Sequence, residues 1–305
     1  MYYLSDDERK FLVRGLLPKS RQSEVAEELR GWNWHQPPLE PPYGVRLALY
    51  EVAGKYCGTS RDVFLRRVHG IRGKPNRAML AGGYYHAVIV GELVRAKRLI
   101  YTLGVKQHDR IERELAAPGV LPPLPKECTP EDASELTARG QLLAEFQAGR
   151  IRARFQDILT RQPYIGDDSL AAITVPVVTE QRLDGSFLGL SQRLSADALS
   201  FTEPMIVDLK FGRRQDFHRL TTTGYALVME AVHEYPVNIG CIVYAQFQEG
   251  RLLLEKDFHL IDDELRQWFV EERDEKARMV AEEMDPGRPD ECASTCPCFN
   301  ECHPG

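Results

Sequence analysis

Two charged residues, Asp208 and Lys210, stand two positions apart in the run PMIVDLKFG, among apolar Ile206, Val207 and Leu209. Such a run reads as a buried strand, and its period of two points both charges to one face. Buried charge is costly unless something compensates it. The chain must therefore fold so that partners for Asp208 and Lys210 meet them within or beside its core. The neighbouring sequence supplies a sheet for this strand to join. From about residue 171, AAITVPVVTEQRL and SFLGLSQRLSADAL read as two earlier strands with a turn at Asp184-Gly185. NIGCIVYAQFQ and RLLLEKDFHLI read as a hairpin around Glu249-Gly250, and the intervening FHRLTTTGYALVMEAVHEY as a helix.

Upstream the pattern is helical. DDERKFLVRGLL and SEVAEELRGW read as short amphipathic helices, and SRDVFLRRV opens with Ser60 as a candidate N-cap. A long helix is expected through RAMLAGGYYHAVIVGELVRAKRLIYTL, and another from Pro130 through PEDASELTARGQLLAEFQAGRIRARFQDILTRQ. Pro-rich HQPPLEPPYG and PGVLPPLPKECTP are loops. IDDELRQWFVEERDEKARMVAEEM is a charged helix stopped by DPG. The expected organisation is a helical region at 1–160, a mixed α/β core at 161–260, and a helix with a cysteine-rich tail at 261–305.

The chemistry centres on Asp197, Asp208 and Lys210. Asp197 closes the strand before PMIVDLKFG and can meet Asp208 across a turn at Ser200–Pro204. Two carboxylates offer hard oxygen ligands for Mg²⁺ or Mn²⁺. Such an ion polarises a phosphodiester and lowers the pKa of an attacking water, while a lysine stabilises developing negative charge. By itself, an Asp-x-Lys on a strand also suits a structural ion pair. The net charge of −6 excludes a protein that coats nucleic acid by bulk basicity. Charge is uneven, however: residues 61–98 carry nine Arg or Lys against Asp62 and Glu92, and residues 255–291 fourteen acids against six bases. Each stretch reads either as a binding face or as a solvated helix surface.

Seven cysteines are present, and four of them, Cys292, Cys296, Cys298 and Cys302, fall in the last fourteen residues. The N-terminus lacks a secretory pattern and no apolar run approaches the about 18 residues that cross a bilayer. A cytoplasmic setting is expected, in which clustered thiols suggest a metal or cluster rather than disulfides. The spacing is unlike paired Cys-x2-Cys knuckles; thiolates suit either zinc or an iron–sulfur cluster. Cys128 in a linker and Cys241 in a strand read as structural.

Together these residues resemble the RecB-like branch of the PD-(D/E)xK nucleases, whose metal site is built from an acid, the Asp-x-Lys strand and a histidine on an upstream helix. The resemblance assigns these roles to Asp197, Asp208, Lys210 and His86. It adds a helical Gln-x-x-x-Tyr motif in which Tyr225 matches but Thr221 occupies the Gln position. Glu180 is a further acid that reads either as support for the site or as a solvated strand position. A cysteine before such a core and three after it resemble the iron–sulfur CRISPR-associated exonuclease family. MYYLSDDERKFLVRGLLPKSR, ELRGWNWHQPPL and DGSFLGLSQRLSADAL are similar to its long variant in type I-A systems. The resemblance implies a [4Fe–4S] cluster on Cys57, Cys292, Cys296 and Cys302, with Cys298 able to exchange for Cys296. It further implies a Mn²⁺- or Mg²⁺-dependent DNA exonuclease that processes ends for spacer acquisition beside the CRISPR integrase and other adaptation proteins. DNA is expected to pass the basic 61–98 segment, with Tyr84, Tyr85 and Tyr225 either stacking on bases or, for at least one of them, packing into the core. A non-catalytic iron–sulfur subunit of the adaptation complex is the alternative.

Overall fold

In the computed structural model, which describes residues 1–2, 4–22, 24–200 and 204–303, five strands form one sheet. Their order is β1 (Val178–Leu183), β2 (Leu194–Ser200), β3 (Met205–Lys210), β4 (Ile239–Gln248) and β5 (Arg251–Leu260). Neighbours pair antiparallel except β3 and β4, which run parallel. A parallel pair needs a crossover, and the helix Arg219–His233 provides it. The helices in chain order are α1 (Asp6–Phe11), α2 (Leu17–Gln22), α3 (Leu49–Ala53), α4 (Arg61–Arg67), α5 (Arg77–Leu103) and α6 (His108–Leu115). They continue with α7 (Pro130–Arg161), α8 (Asp167–Thr174), α9 (Arg219–His233), α10 (Asp263–Ala281) and α11 (Phe299–Cys302). No described helix is long and apolar enough to cross a membrane.

The two faces of the sheet bury separate cores. Val207, Leu209, Cys241, Val243 and Ala245 join α5, α7 and α8 on one side. Ile206, Leu199 and Ala196 join α3, α4, α9, α10 and the tail cysteines Cys298 and Cys302 on the other. The alternation of β3 is thus the expected period of two, and Asp208 and Lys210 share the face of Ile206. Since Leu39–Leu65, the sheet and the C-terminal helix all contribute to the second core, the early and late ends of the chain are parts of one packed layer.

Long helices, hairpin and Pro130 start match the pattern reading; several short elements do not. SEVAEELRGW, whose first residue lies outside the described set, forms two 3₁₀ turns, Glu27–Leu29 and Gly31–Asn33, rather than an amphipathic helix. The cause is tertiary: a Cβ on Gly31 would stand 2.0 Å from Leu227 O, so the backbone lies directly on α9. There Gly31 N–H and Arg30 Nη1 donate to Glu230 at 2.9 and 3.0 Å. The AAIT expected to begin a strand ends α8, and β1 starts only after Val175 and Pro176; the proline disfavours helical backbone for its predecessor, and Val175 stands at φ −125°, ψ 78°. SFLGL is a 3₁₀ turn, Ser186–Leu188, not strand. Ser60 does precede α4, but at φ +60° and without a side-chain capping bond. The expected turn at Ser200–Pro204 lies partly outside the described residues, at 201–203.

Candidate active site

The register of β2 on β3 pairs Ala198 with Val207; one step further along, Asp197 comes beside Asp208. Asp197 Oδ2 accepts the Leu209 N–H at 3.2 Å. From the other side α5 brings His86, whose Nε2 lies 3.1 Å from Asp197 Oδ2 and 3.3 Å from the Leu209 carbonyl oxygen. Lys210 Nζ stands 2.9 Å from Asp208 Oδ2. This contact is an ion pair with poor hydrogen-bond angles, and Oδ2 has no hydrogen-bond partner among the described residues. These four side chains, with Thr221 and Tyr225 one turn apart on α9, line a single cleft of about 440 Å³. The sequence reading of Asp197, Asp208, Lys210 and His86 as one constellation therefore agrees with their placement.

The electrostatics follow from burial and proximity. Burial pushes the Asp208 carboxyl up to about 6; Lys210 pulls against it and the Asp197 charge adds to it. Asp197 is also penalised by burial, yet His86 and Lys210 hold it below the usual carboxylate range. His86 shows the converse balance: burial disfavours its cation, but Asp197 and Asp208 outweigh this and raise it. Lys210 is raised in the same way, its burial offset by Asp208 and Asp197. The cleft thus concentrates two acids against two cations, an arrangement found at functional sites.

The donor set fits a hard divalent cation. Two carboxylates, an imidazole and a backbone carbonyl converge, and the only partner of the buried Asp208 Oδ2 among the described residues is the Lys210 ammonium. Among the described residues no three His, Cys, Asp or Glu side chains stand as a closed metal-holding group; His86 and Asp197 hold each other, and Asp208 holds Lys210.

Other expected residues are placed differently. Tyr225 is nearly buried, and its O–H donates to the Ser195 carbonyl at 2.5 Å. Tyr84 and Tyr85 are 4% and 2% exposed. None of these three rings presents a face for base stacking, because all three pack into the cores. Glu180 is exposed at φ +52°, between Thr179 and Gln181, which pair with Ala198 and Ala196 across from Asp197. The basic segment is largely committed within the chain. Arg61 pairs with Asp285, Arg66 and Arg67 with Glu51, Arg77 with Asp132 and Glu135, and Arg95 with Glu92. Lys97 donates to the Val177 carbonyl. Residues that pattern reading missed are Tyr2, whose hydroxyl meets His86 Nδ1 at 2.9 Å, and the Leu209 carbonyl. Neither leaves a sequence signal: Tyr2 is remote in the chain, and a carbonyl is common to all residues.

The tail docks on the segment that follows Cys57. Thr59 Oγ1 donates to the Gly287 carbonyl, and Asn76 Nδ2 to that of Thr295. Gly73 admits Pro297, whose carbonyl oxygen would lie 2.3 Å from a Cβ there. Burial and then the neighbouring Cys296, Cys302 and Cys57 thiols push Cys292 up. Cys298 is 2% exposed within the apolar core, and burial pushes it up to about 11. Cys57, Cys292 and Cys296 are partly exposed, whereas Cys302, like Cys298, is buried in the apolar core. Cys241 is buried in β4 and pushed up to about 12 by burial.

This geometry defines a mixed α/β protein whose sheet carries two acids and a lysine, closed by a helical histidine. The chain belongs to the family described as CRISPR-associated exonuclease Csa1, whose model matches residues 1–305. It is 31% identical over 280 residues to the CRISPR-associated exonuclease Csa1 of Thermoproteus tenax, covering 92% of each chain. It is 32% identical over 291 residues to the protein of the same name in Saccharolobus solfataricus, covering 94% of each. No solved structure matches the chain.

Proposed function

We propose that this protein is a metal-dependent DNA exonuclease of the RecB-like PD-(D/E)xK type that trims DNA ends for CRISPR spacer acquisition. The observation that carries the reading is the convergence of His86, Asp197, Asp208 and Lys210 in one cleft. His86, Asp197, Asp208 and the Leu209 carbonyl would hold Mn²⁺ or Mg²⁺. When bound, that ion supplies Lewis-acid polarisation of the phosphodiester and an acidified water. Lys210, anchored by Asp208, places a positive charge where the scissile phosphate gains negative charge. Tyr225 buttresses the β2 wall through Ser195. The names of the family and of both relatives support the nuclease class.

Cys57, Cys292, Cys296 and Cys302 are the proposed ligands of a [4Fe–4S] cluster that ties the tail to the segment after α3. DNA, the CRISPR integrase and the other adaptation proteins are the proposed partners. One observation favours a second reading, a catalytically weak or inactive subunit of the adaptation complex: Thr221 fills the cleft position where the resemblance expects Gln.

End-labelled single-stranded and duplex DNA, incubated with Mn²⁺ and anaerobically purified protein, separates the two. Cleavage by wild type, reduced about 10²-fold or more in Lys210→Ala, upholds the nuclease. Folded, iron-loaded wild type that cuts neither substrate selects the inactive subunit.

A further inference from the structure

Beside the cleft lies a second hollow of about 500 Å³, walled by Trp34, Tyr43, Arg46 and Phe187. Two loops build it, and both run on into the cleft. One passes from Arg46 to Tyr50, the other from Phe187 to Arg193, and Tyr50 and Arg193 line the cleft itself. The loops are held side by side by a parallel bridge between Leu47 and Leu190. Leu47 N–H donates to Gly189 O at 3.0 Å, and Ser191 N–H to Leu47 O at 2.8 Å. Gly189 sits at φ +68°, and a Cβ there would lie 3.1 Å from Pro41, so glycine permits both the turn and the close approach. Four residues of chain at ~3.3–3.6 Å each put the hollow on the order of 10 Å from the cleft.

The hollow offers what the three buried tyrosines do not. Phe187 is 39% exposed, and the Trp34 ring lies 5.2 Å from it. Within the cleft Tyr50 is 64% exposed, with the Arg66 guanidinium 5.5 Å over its ring. The side chains of Arg46 and Arg193 are exposed and take part in no side-chain hydrogen bond or close ion pair among the described residues, although Arg193 N–H donates to Ser191 Oγ and Asp184 lies within electrostatic reach of Arg46, unlike the committed cations of 61–98. Exposed Phe187 and Tyr50 and half-buried Trp34, interleaved with the exposed Arg46 and Arg193 side chains, suit a strand whose bases are unpaired and whose backbone is anionic. Glu40, also on the wall, suits base amino donors rather than phosphate.

We propose that this hollow is a subsite for single-stranded DNA, where bases of the strand leaving the cleft stack on Trp34 and Phe187 while Arg46 and Arg193 hold its phosphates. The proposal rests on the nuclease reading and gives its substrate a direction across the surface. It also selects single strands, since paired bases cannot present their faces to the two rings.

The test is the binding of fluorescein-labelled oligothymidylates of increasing length, followed by anisotropy in EDTA, for wild type, Phe187→Ser and Arg46→Gln. Wild-type affinity is expected to step up once the strand is long enough to reach the hollow. Each variant should lose that step, binding long strands about five-fold or more weakly, while short strands bind as to wild type. A wild type without a step, variants that keep it, or equal weakening at every length would overturn the subsite. Cleavage of the shortest strands with Mn²⁺ is measured in parallel. If wild type and variants cut these alike while long-strand affinity is unchanged, the subsite falls and the nuclease stands. If wild type neither binds nor cuts at any length, both fall.

Discussion

His86 reaches the cleft with its second nitrogen already engaged. For Nε2 to offer a lone pair to a metal, Nδ1 must carry the proton and donate it to Tyr2 Oη, 2.9 Å away. Tyr2→Phe is expected to weaken Mn²⁺ binding about 10–100-fold while leaving the circular dichroism spectrum unchanged. Calorimetric titration of the folded protein reads this, and an unaltered affinity would remove Tyr2 from the site. A different histidine sets an acid limit on stability. His259 is 5% exposed, meets Thr222 Oγ1 at 2.9 Å, and is lowered by burial from 6.5 to about 4. In the unfolded chain it regains its ordinary value near ~6.5. Between those values the unfolded chain binds a proton that the folded chain refuses. The contribution is therefore complete above pH ~6.5 and is lost as pH falls toward 4, on the order of 3 kcal/mol in all. Urea unfolding at pH 7 and pH 5 should show this loss, and His259→Gln should reduce it, leaving the share of buried His218, which burial also lowers to about 4.

At the scale of elements, the crossover helix α9 is the hinge of the architecture. It makes the β3–β4 pair parallel, and it carries Glu230 at zero exposure. Arg266 of α10 grips that carboxylate through both terminal nitrogens, at 2.7 and 2.9 Å. Arg30 and the N–H groups of Gly31 and Val237 complete its coordination. Removing one partner of such a network leaves the other charge buried and unpaired. Glu230→Ala is expected to cost about 3–5 kcal/mol, seen as a lower urea midpoint; a loss below ~1 kcal/mol would mean that water or Asn238 takes over Arg266. The bond set also explains why SEVAEELRGW does not form a helix. A regular helix there would carry Arg30 and Gly31 away from Glu230.

Across the whole molecule, the tail closes on the segment after Cys57, more than two hundred positions earlier, through Arg61–Asp285, Thr59–Gly287 and Gly73–Pro297. A cluster held there would cross-link the first and last parts of the core that includes α9 and α10. Cys57→Ser should abolish the broad visible absorption and bound iron of anaerobically purified protein, and lower its melting temperature. On the proposed ligand set of Cys57, Cys292, Cys296 and Cys302, Cys298→Ser should keep the iron. Iron retained by Cys57→Ser, or lost from Cys298→Ser, would reassign the fourth ligand.

Chain-local chemistry was legible from the sequence alone. The period of two in MIVDLK placed Asp208 and Lys210 on one face, Pro130 started α7, Glu249-Gly250 turned the hairpin, and the acid–Asp–Lys order brought Asp197 to Asp208. These features depend on neighbours along the chain or on one strand pairing, so residue types and spacing suffice. What depends on remote partners needed the tertiary structure. The cations of 61–98 looked free until Glu51, Asp132, Glu135 and Asp285 were seen beside them. Whether Tyr84 and Tyr85 stack on bases or pack into the core was open until α5 was seen packed on the sheet. Tyr2, the Leu209 carbonyl and the Trp34–Phe187 hollow have no motif, because a hydroxyl, a carbonyl or an exposed ring acquires a role only from what folding sets against it. Composition and periodicity report which faces must be buried; which partner satisfies each buried charge, and which rings stay uncovered, is decided by the packing of distant segments.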